Sequence, residues 1–245
     1  MKVIILAAGK GKRISRMIKE VPKSTLPIAG VPLIKITVDM LQKRGFDISI
    51  CTGYKKEIIE DILKDKEIKY YYNPFYDVTN SIASLWFARE ELDGKEDVII
   101  LNADVFFSES ILDNLLQDER EVVMMVDRER TKTGDYFFQT TDSGCIKKYG
   151  KDLPLQIRKC EYVGIGKIKA EFVEAFKKRM EKQITNQQHS LWWENIIYSF
   201  ADEDKDIYTK DVDGEFWSEI DYFDDYERIL SHLSQNKSEE QGVQE

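Results

Sequence analysis

Three groups of residues in this chain have the types and spacing to do chemistry. The first is Leu6-Ala7-Ala8-Gly9-Lys10-Gly11-Lys12-Arg13 with its continuation to Pro22-Lys23. Two glycines behind a pair of small residues let the backbone turn tightly and bring its N–H groups close to an anion, an approach that a Cβ-bearing loop obstructs. Between Lys10 and Lys23 stand six basic residues and one acid, in a chain whose net charge is −9. The loop is therefore a positive island able to draw in a polyanion such as a nucleoside triphosphate. A bare Gly-x-Gly is equally compatible with a solvated basic loop, and the spacing is neither G-x-G-x-x-G nor that of a P-loop. The second group is Asp104, at the carboxyl end of the apolar run Val98-Ile-Ile-Leu-Asn-Ala. A carboxylate there is costly unless a cation such as Mg²⁺ on a triphosphate compensates it; an ordinary turn aspartate is the other reading. The third group is Trp192, Glu194 and Trp217, beside a stretch from Asp202 to Glu227 with twelve acids and two bases. Aromatic faces with carboxylates suit a cationic ligand better than a neutral sugar, at ~0.5–2 kcal/mol per contact. The alternative is that the tryptophans pack in a core and the acids form a solvated face.

The elements that must position these groups alternate. Val3–Leu6 reads as a buried parallel strand and leads into the glycine loop. A helix over 32–44 with Leu33, Ile34, Val38 and Leu41 inward is followed by a strand over 46–52 that Gly53-Tyr54 ends, a helix over 55–63, and a strand over 68–72 broken by Asn73-Pro74. These are βαβ units, so the sheet is largely parallel. Thr79 or Asn80 can cap a helix over 81–92, which places Asn80 and Ser81 just beyond the strand ends, where open α/β sheets bind ligands. The spacing then predicts strands at 98–104 and 121–126, a hairpin over 135–149, helices over 109–116, 171–183 and 190–200, an edge strand at 207–209 and a last helix through Leu233.

At 245 residues and 42% hydrophobic content the chain can bury the core of one large domain. We expect residues 1–233 to form it, with substrate-pocket elements within about 130–220, and residues 234–245 to be a flexible polar tail. No apolar run approaches the ~20 residues of a membrane span, and the N-terminus opens on a strand, so we expect a cytoplasmic protein without membrane insertion. Three widely spaced cysteines suit reduced thiols and offer no zinc pattern; two histidines exclude a histidine-rich metal site. The net charge argues against nucleic-acid binding. A monomer or homodimer is expected.

L-A-A-G-x-G-x-R after an N-terminal strand, then Pro22-Lys23 and Leu26-Pro27-Ile28-Ala29-Gly30-Val31-Pro32, resembles the head of the sugar-phosphate and choline-phosphate nucleotidyltransferases. Leu-Trp-Trp-Glu-Asn at 191–195 is similar to the aromatic and acidic segment of the bacterial CTP:phosphocholine cytidylyltransferases. The resemblance implies an α/β fold, a Rossmann-like three-layer sandwich with a mixed, mostly parallel central sheet. It implies a cytidylyltransferase that joins CTP to a small phosphorylated substrate, phosphocholine first; the alternatives are a nucleotidyltransferase for a sugar-1-phosphate, inositol phosphate, glycerol phosphate or aminoalkylphosphonate, and a non-catalytic nucleotide-binding module on the same scaffold. Its metal, Mg²⁺, would be held by Asp104 and by Asp221 of the segment Glu219-Ile-Asp221. Arg13 and Lys23 would act on the phosphates. Leu6, Ala7, Ala8, Gly9, Lys10, Gly11, Lys12, Arg13, Gly53, Tyr54, Asn80, Ser81 and Asn102 would bind the nucleotide. Lys23, Glu161 on the returning strand, Trp192, Glu194 and Trp217 would bind the second substrate. One departure stands in the loop: the usual Pro-Leu-Thr is replaced by Ser15-Arg16-Met17-Ile18.

Overall fold

The computed structural model describes residues 1–11 and 21–242, with side chains described to residue 235. Lys12 and Arg13, singled out in the loop, lie outside the described residues. The first strand, Lys2–Ala7, is buried on both faces, because it lies between two parallel neighbours and helices cover the sheet above and below. From one edge the sheet runs Ile146–Gly150, Phe137–Thr140, Cys160–Ile168, Val98–Asn102, Lys2–Ala7, Asp47–Thr52, Lys69–Tyr72. Val122–Asp127 pairs with Cys160–Ile168, and Tyr208–Asp211 pairs with Val122–Asp127 as an edge strand. Among the described residues, only Cys160–Ile168 and Ile146–Gly150 run against the other seven strands of the sheet, so this is the mixed, mostly parallel three-layer sandwich expected.

Period-two alternation sends Ile4, Leu6 and Ile100 to one face and Val3, Ile5 and Ile99 to the other. The first face packs against the helices Ser81–Phe87, Ala170–Thr185 and Glu194–Ala201, and the second against Leu33–Gln42, Lys56–Ile62 and Glu109–Leu116. Each of these six helices therefore turns one apolar stripe to the sheet, which is what the spacing in the sequence requires.

Two connections matter for the site. Val105–Phe107 pairs antiparallel with Trp217–Glu219, and the Ile220 N–H donates to the Asp104 carbonyl at 2.9 Å, so residues more than a hundred positions apart meet at one strand end. The helix expected over 190–200 begins only at Glu194. Before it, the Trp193 N–H donates to Ser81 Oγ at 2.9 Å and the Trp192 N–H donates to Asn195 Oδ1 at 2.9 Å, bonds that hold 192–193 as a loop. At the C-terminus the last helix, Phe223–Gly242, runs past Leu233 into the segment expected to be a tail; its polar residues include good helix formers and no proline.

Candidate active site

The parallel strands Lys2–Ala7, Asp47–Thr52 and Val98–Asn102 end side by side, with Leu6 opposite Asn102 and Ala7 opposite Thr52. Their following loops rim a cavity of about 390 Å³ at the carboxyl edge of the sheet. Leu6, Ala7, Ala8, Gly9 and Gly11 line it. Gly11 has φ +61, and a Cβ there would come within 2.5 Å of the Lys23 side chain, so glycine is what lets that lysine pass the loop. Gly53 and Tyr54 do not line the cavity. They brace it from behind: a Cβ on Gly53 would stand 2.5 Å from the Ala8 carbonyl, which accepts the Tyr54 N–H at 3.0 Å. Lys10 also stays off the cavity, paired with Asp77 at 3.4 Å and lying over the Tyr76 ring.

At one end of the cavity Asp104, Glu219 and Asp221 bring carboxylate oxygens within 4.8 Å of one another. Lys23 Nζ lies between two of them, donating to Asp104 Oδ2 at 3.3 Å and to Asp221 Oδ1. Burial by itself would lower the Lys23 pKa, but Asp104 and Asp221 outweigh it and hold the ammonium above its ordinary value. Glu219, two residues before Asp221, has no motif of its own in the sequence and is the third carboxylate of the group. Burial, then the charges of Asp104 and Asp221, push its carboxyl well above the usual range. Three converging carboxyls with one shared ammonium leave negative charge to neutralise, and an all-oxygen donor set fits a hard divalent cation.

The other end is aromatic. Tyr136 and Tyr198 stack with centroids 5.5 Å apart, Trp192 meets Tyr136 edge-on at 6.1 Å, and all three line the cavity. Trp192 is 39% exposed, as a ring offered to a ligand should be. Glu194 is buried beneath them, and burial pushes its carboxyl up to about 7 against the opposing hydrogen bond from Asn102. Asn102 ties this floor together, donating to Glu194 Oε1 at 3.2 Å and accepting from Trp193 Nε1 at 3.2 Å. Among the described residues, the Tyr162 hydroxyl, buried beside Glu194, has no hydrogen-bond partner of good geometry. Asn80 and Ser81 also line the cavity: Asn80 Oδ1 accepts the Ser81 N–H at 2.9 Å as a helix cap, so the capping reading holds in a place where the pair also faces the cavity.

Two of the residues read as substrate contacts sit elsewhere. Trp217 is 3% exposed in the core of the opposite face; its Nε1 donates to Asp127 Oδ2 at 2.8 Å and its ring lies under the Arg130 guanidinium. It is a packing tryptophan, as its place on a strand between Phe107 and the sheet requires. Glu161 does not reach the cavity either. It accepts from Arg130 Nε at 2.6 Å and from the Asp135 N–H at 2.9 Å, and so fixes the backbone that presents Asp135 and Tyr136. Tyr136, Tyr198, Tyr162, Asp135 and Lys151 line the cavity without having been singled out. A lone tyrosine in a hairpin carries no pattern, and only the pairing of that hairpin with Cys160–Ile168 carries Tyr136 to the site.

A strand-end cavity with a glycine loop, a lysine among three carboxyls and an aromatic far wall defines an enzyme of the nucleotidyltransferase class. The profile of the MobA-like NTP transferase domain matches residues 3–189, and the chain belongs to that family. The choline-phosphate cytidylyltransferase of Streptococcus pneumoniae is 28% identical over 97% of this chain and all of its own length. The CTP:phosphoglutamine cytidylyltransferase of Campylobacter jejuni is 23% identical over 93% of this chain and 98% of its own. Among solved structures, the CTP:phosphocholine cytidylyltransferase of S. pneumoniae superposes with a TM-score of 0.77 at 23% identity, covering 95% of this chain and 98% of that one. The inositol-1-phosphate CTP transferase of T. maritima gives 0.74 at 20% identity, covering 94% of each. The resemblance read from the loop motif is thereby borne out at the level of the family and the fold.

Proposed function

We propose that the protein is a Mg²⁺-dependent cytidylyltransferase that joins CTP to a phosphomonoester with an ammonium-bearing end, phosphocholine first, to give CDP-choline and pyrophosphate. The observation that carries this reading is that one cavity holds the Lys23–Asp104–Asp221 cluster at one end and the Tyr136, Trp192 and Glu194 wall at the other. Relatives that act on CTP with phosphocholine or phosphoglutamine support it.

A phosphate oxygen of the substrate attacks the α-phosphorus of CTP in line; the new P–O bond forms as the bond to the β-phosphate bridging oxygen breaks, and pyrophosphate leaves with that electron pair. Such a transfer needs positioning and charge neutralisation more than a protein nucleophile. The amides of Gly9 and Gly11 hold the leaving phosphates, and Lys23 neutralises charge at the transferring phosphoryl group. Asp104 and Asp221, with Glu219 beside them, would hold Mg²⁺, which when bound supplies further neutralisation of the triphosphate. The backbones of Ala7 and Ala8, with Asn80 and Ser81, face the nucleobase, while Trp192 and Glu194 take the ammonium end of the second substrate.

The test is pyrophosphate release, with Mg²⁺, over a grid of four nucleoside triphosphates against phosphocholine, glycerol phosphate, aminoethylphosphonate and several sugar-1-phosphates. A maximum at CTP with phosphocholine is expected. A maximum with a sugar phosphate would discard the aromatic wall as the cation subsite, and CTP binding without pyrophosphate release would overturn the catalytic assignment.

A further inference from the structure

The aromatic wall already holds a cation of the protein's own. Lys151 lines the cavity, its Nζ lies 5.1 Å from the centre of the Trp192 ring, and it pairs with Asp135 Oδ2 at 2.5 Å. Its backbone is pinned: the Lys151 and Leu153 carbonyls both accept hydrogen bonds from Arg158, whose guanidinium in turn lies on the Phe137 ring. The lysine follows the strand Ile146–Gly150 directly. The flexible part is the four-carbon stem; the Lys151 side chain is 32% exposed and that of Asp135 46%. A half-exposed pair of this kind is weak, and a cation over an aromatic face gains only a modest attraction, so the ammonium can be replaced.

A ligand ammonium drawn to this end of the cavity meets the same Trp192 ring and the same Asp135 carboxylate. Lys151 and the ligand therefore compete for one place. Resting on the proposed ammonium-bearing substrate, we infer that Lys151 is a specificity-determining residue that occupies the cation subsite of the free protein and is displaced from Trp192 and Asp135 when the substrate's ammonium end enters. A cationic ligand must outbid the tethered lysine, so the pocket discriminates against small ammonium compounds that have no phosphate anchored at the Lys23 end. The displaced ammonium moves toward solvent, where it is readily hydrated.

Choline is the probe, because it carries the quaternary ammonium without the phosphate and its binding needs no turnover. Its dissociation constant is measured by titration calorimetry for the wild type and for Lys151→Met, which keeps the stem and removes the charge, and for Lys151→Arg, which keeps an occupant. Lys151→Met is expected to bind choline roughly threefold to tenfold more tightly, the factor that vacating one aromatic face and one carboxylate supplies. Lys151→Arg should stay close to the wild type. Adding Trp192→Ala to Lys151→Met should remove the gain, while CTP binding to each variant reports an intact fold. Unchanged or weaker choline binding in Lys151→Met, no measurable binding in any variant, or a gain that survives Trp192→Ala would each overturn the inference. Failure of the functional reading shows separately, as absence of CTP-dependent turnover of phosphocholine by the wild type.

Discussion

Replacing Lys23 by methionine tests the charge arrangement most directly. The stem that threads past Gly11 is kept and the ammonium between Asp104 and Asp221 is lost. If Lys23 stabilises charge on the transferring phosphoryl group, its removal costs about 3–4 kcal/mol of transition-state stabilisation, a fall of roughly 10²–10³ in kcat. Stability should fall as well. The folded pKa of Lys23 is raised, so its stabilising contribution is fully present below the ordinary lysine pKa of 10.5 and is lost only as pH rises through the higher folded value. At pH 7 it is complete. Removing one partner of a buried ion pair costs about 3–5 kcal/mol. Asp104 remains 24% exposed and Asp221 13%, so solvent screening reduces this to about 2–4 kcal/mol, or roughly 5–15 °C in Tm for a chain of this size. Millimolar Mg²⁺ should restore part of that loss, since a divalent cation can take up the charge that the lysine leaves. The assays are steady-state pyrophosphate release and thermal melts with Mg²⁺ or with chelator. An unchanged kcat would refute the catalytic role, and a higher Tm in chelator would refute the charge balance itself.

Glu194 sets a pH dependence. Its folded pKa of about 7 lies above its ordinary 4.5, so the stability it contributes is full below pH 4.5 and is lost as pH rises through 7, roughly 3 kcal/mol in all. Glu194→Gln should therefore flatten the fall in Tm between pH 5 and pH 8, and an identical slope in both proteins would count against the buried acid. Asn102→Ala removes the donor to Glu194 and the acceptor for Trp193; KM for the phosphomonoester should rise about tenfold while KM for CTP moves less, as measured by initial rates over both substrates. The two tryptophans should separate cleanly: Trp192→Ala raises KM for the second substrate with little change in Tm, whereas Trp217→Phe takes the indole donor from Asp127 Oδ2 and lowers Tm with KM unchanged.

Much of the fold was legible because its signals are local and repeated. Val3–Leu6 and Val98–Leu101 are short aliphatic runs rich in β-branched residues, which suit a strand covered on both faces, and Gly53 and Asn73-Pro74 stop their elements where backbone chemistry demands. The boundary at Trp193 was missed because periodicity over 190–200 is genuinely helical, with Trp193, Ile196 and Ile197 all turned to one core. What delays the start of the helix is a bond from Trp193 to Ser81, more than a hundred residues away, and no window of sequence contains both partners. The last helix was cut short for the opposite reason: its apolar stripe stops near Leu233, but helix propensity does not.

The site divides along the same line. Gly9, Gly11, Lys23 and Asp104 declare themselves because a phosphate-binding turn and a strand-end acid need those residue types at those places, whatever surrounds them. Trp217 and Trp192 could not be told apart by type, since a tryptophan beside acids reads the same on either face of a sheet. Topology decides between them. Trp217 lies on the strand that pairs with Val105–Phe107, so its ring is carried to the opposite core, and the same pairing delivers Glu219 and Asp221 to Asp104. One antiparallel contact thus removes a tryptophan from the substrate wall and completes the acidic cluster. Lys151 is the converse case. A single lysine after a glycine has no motif, yet closing the hairpin against Cys160–Ile168 sets it over Trp192, in the place where the substrate's charge is proposed to go.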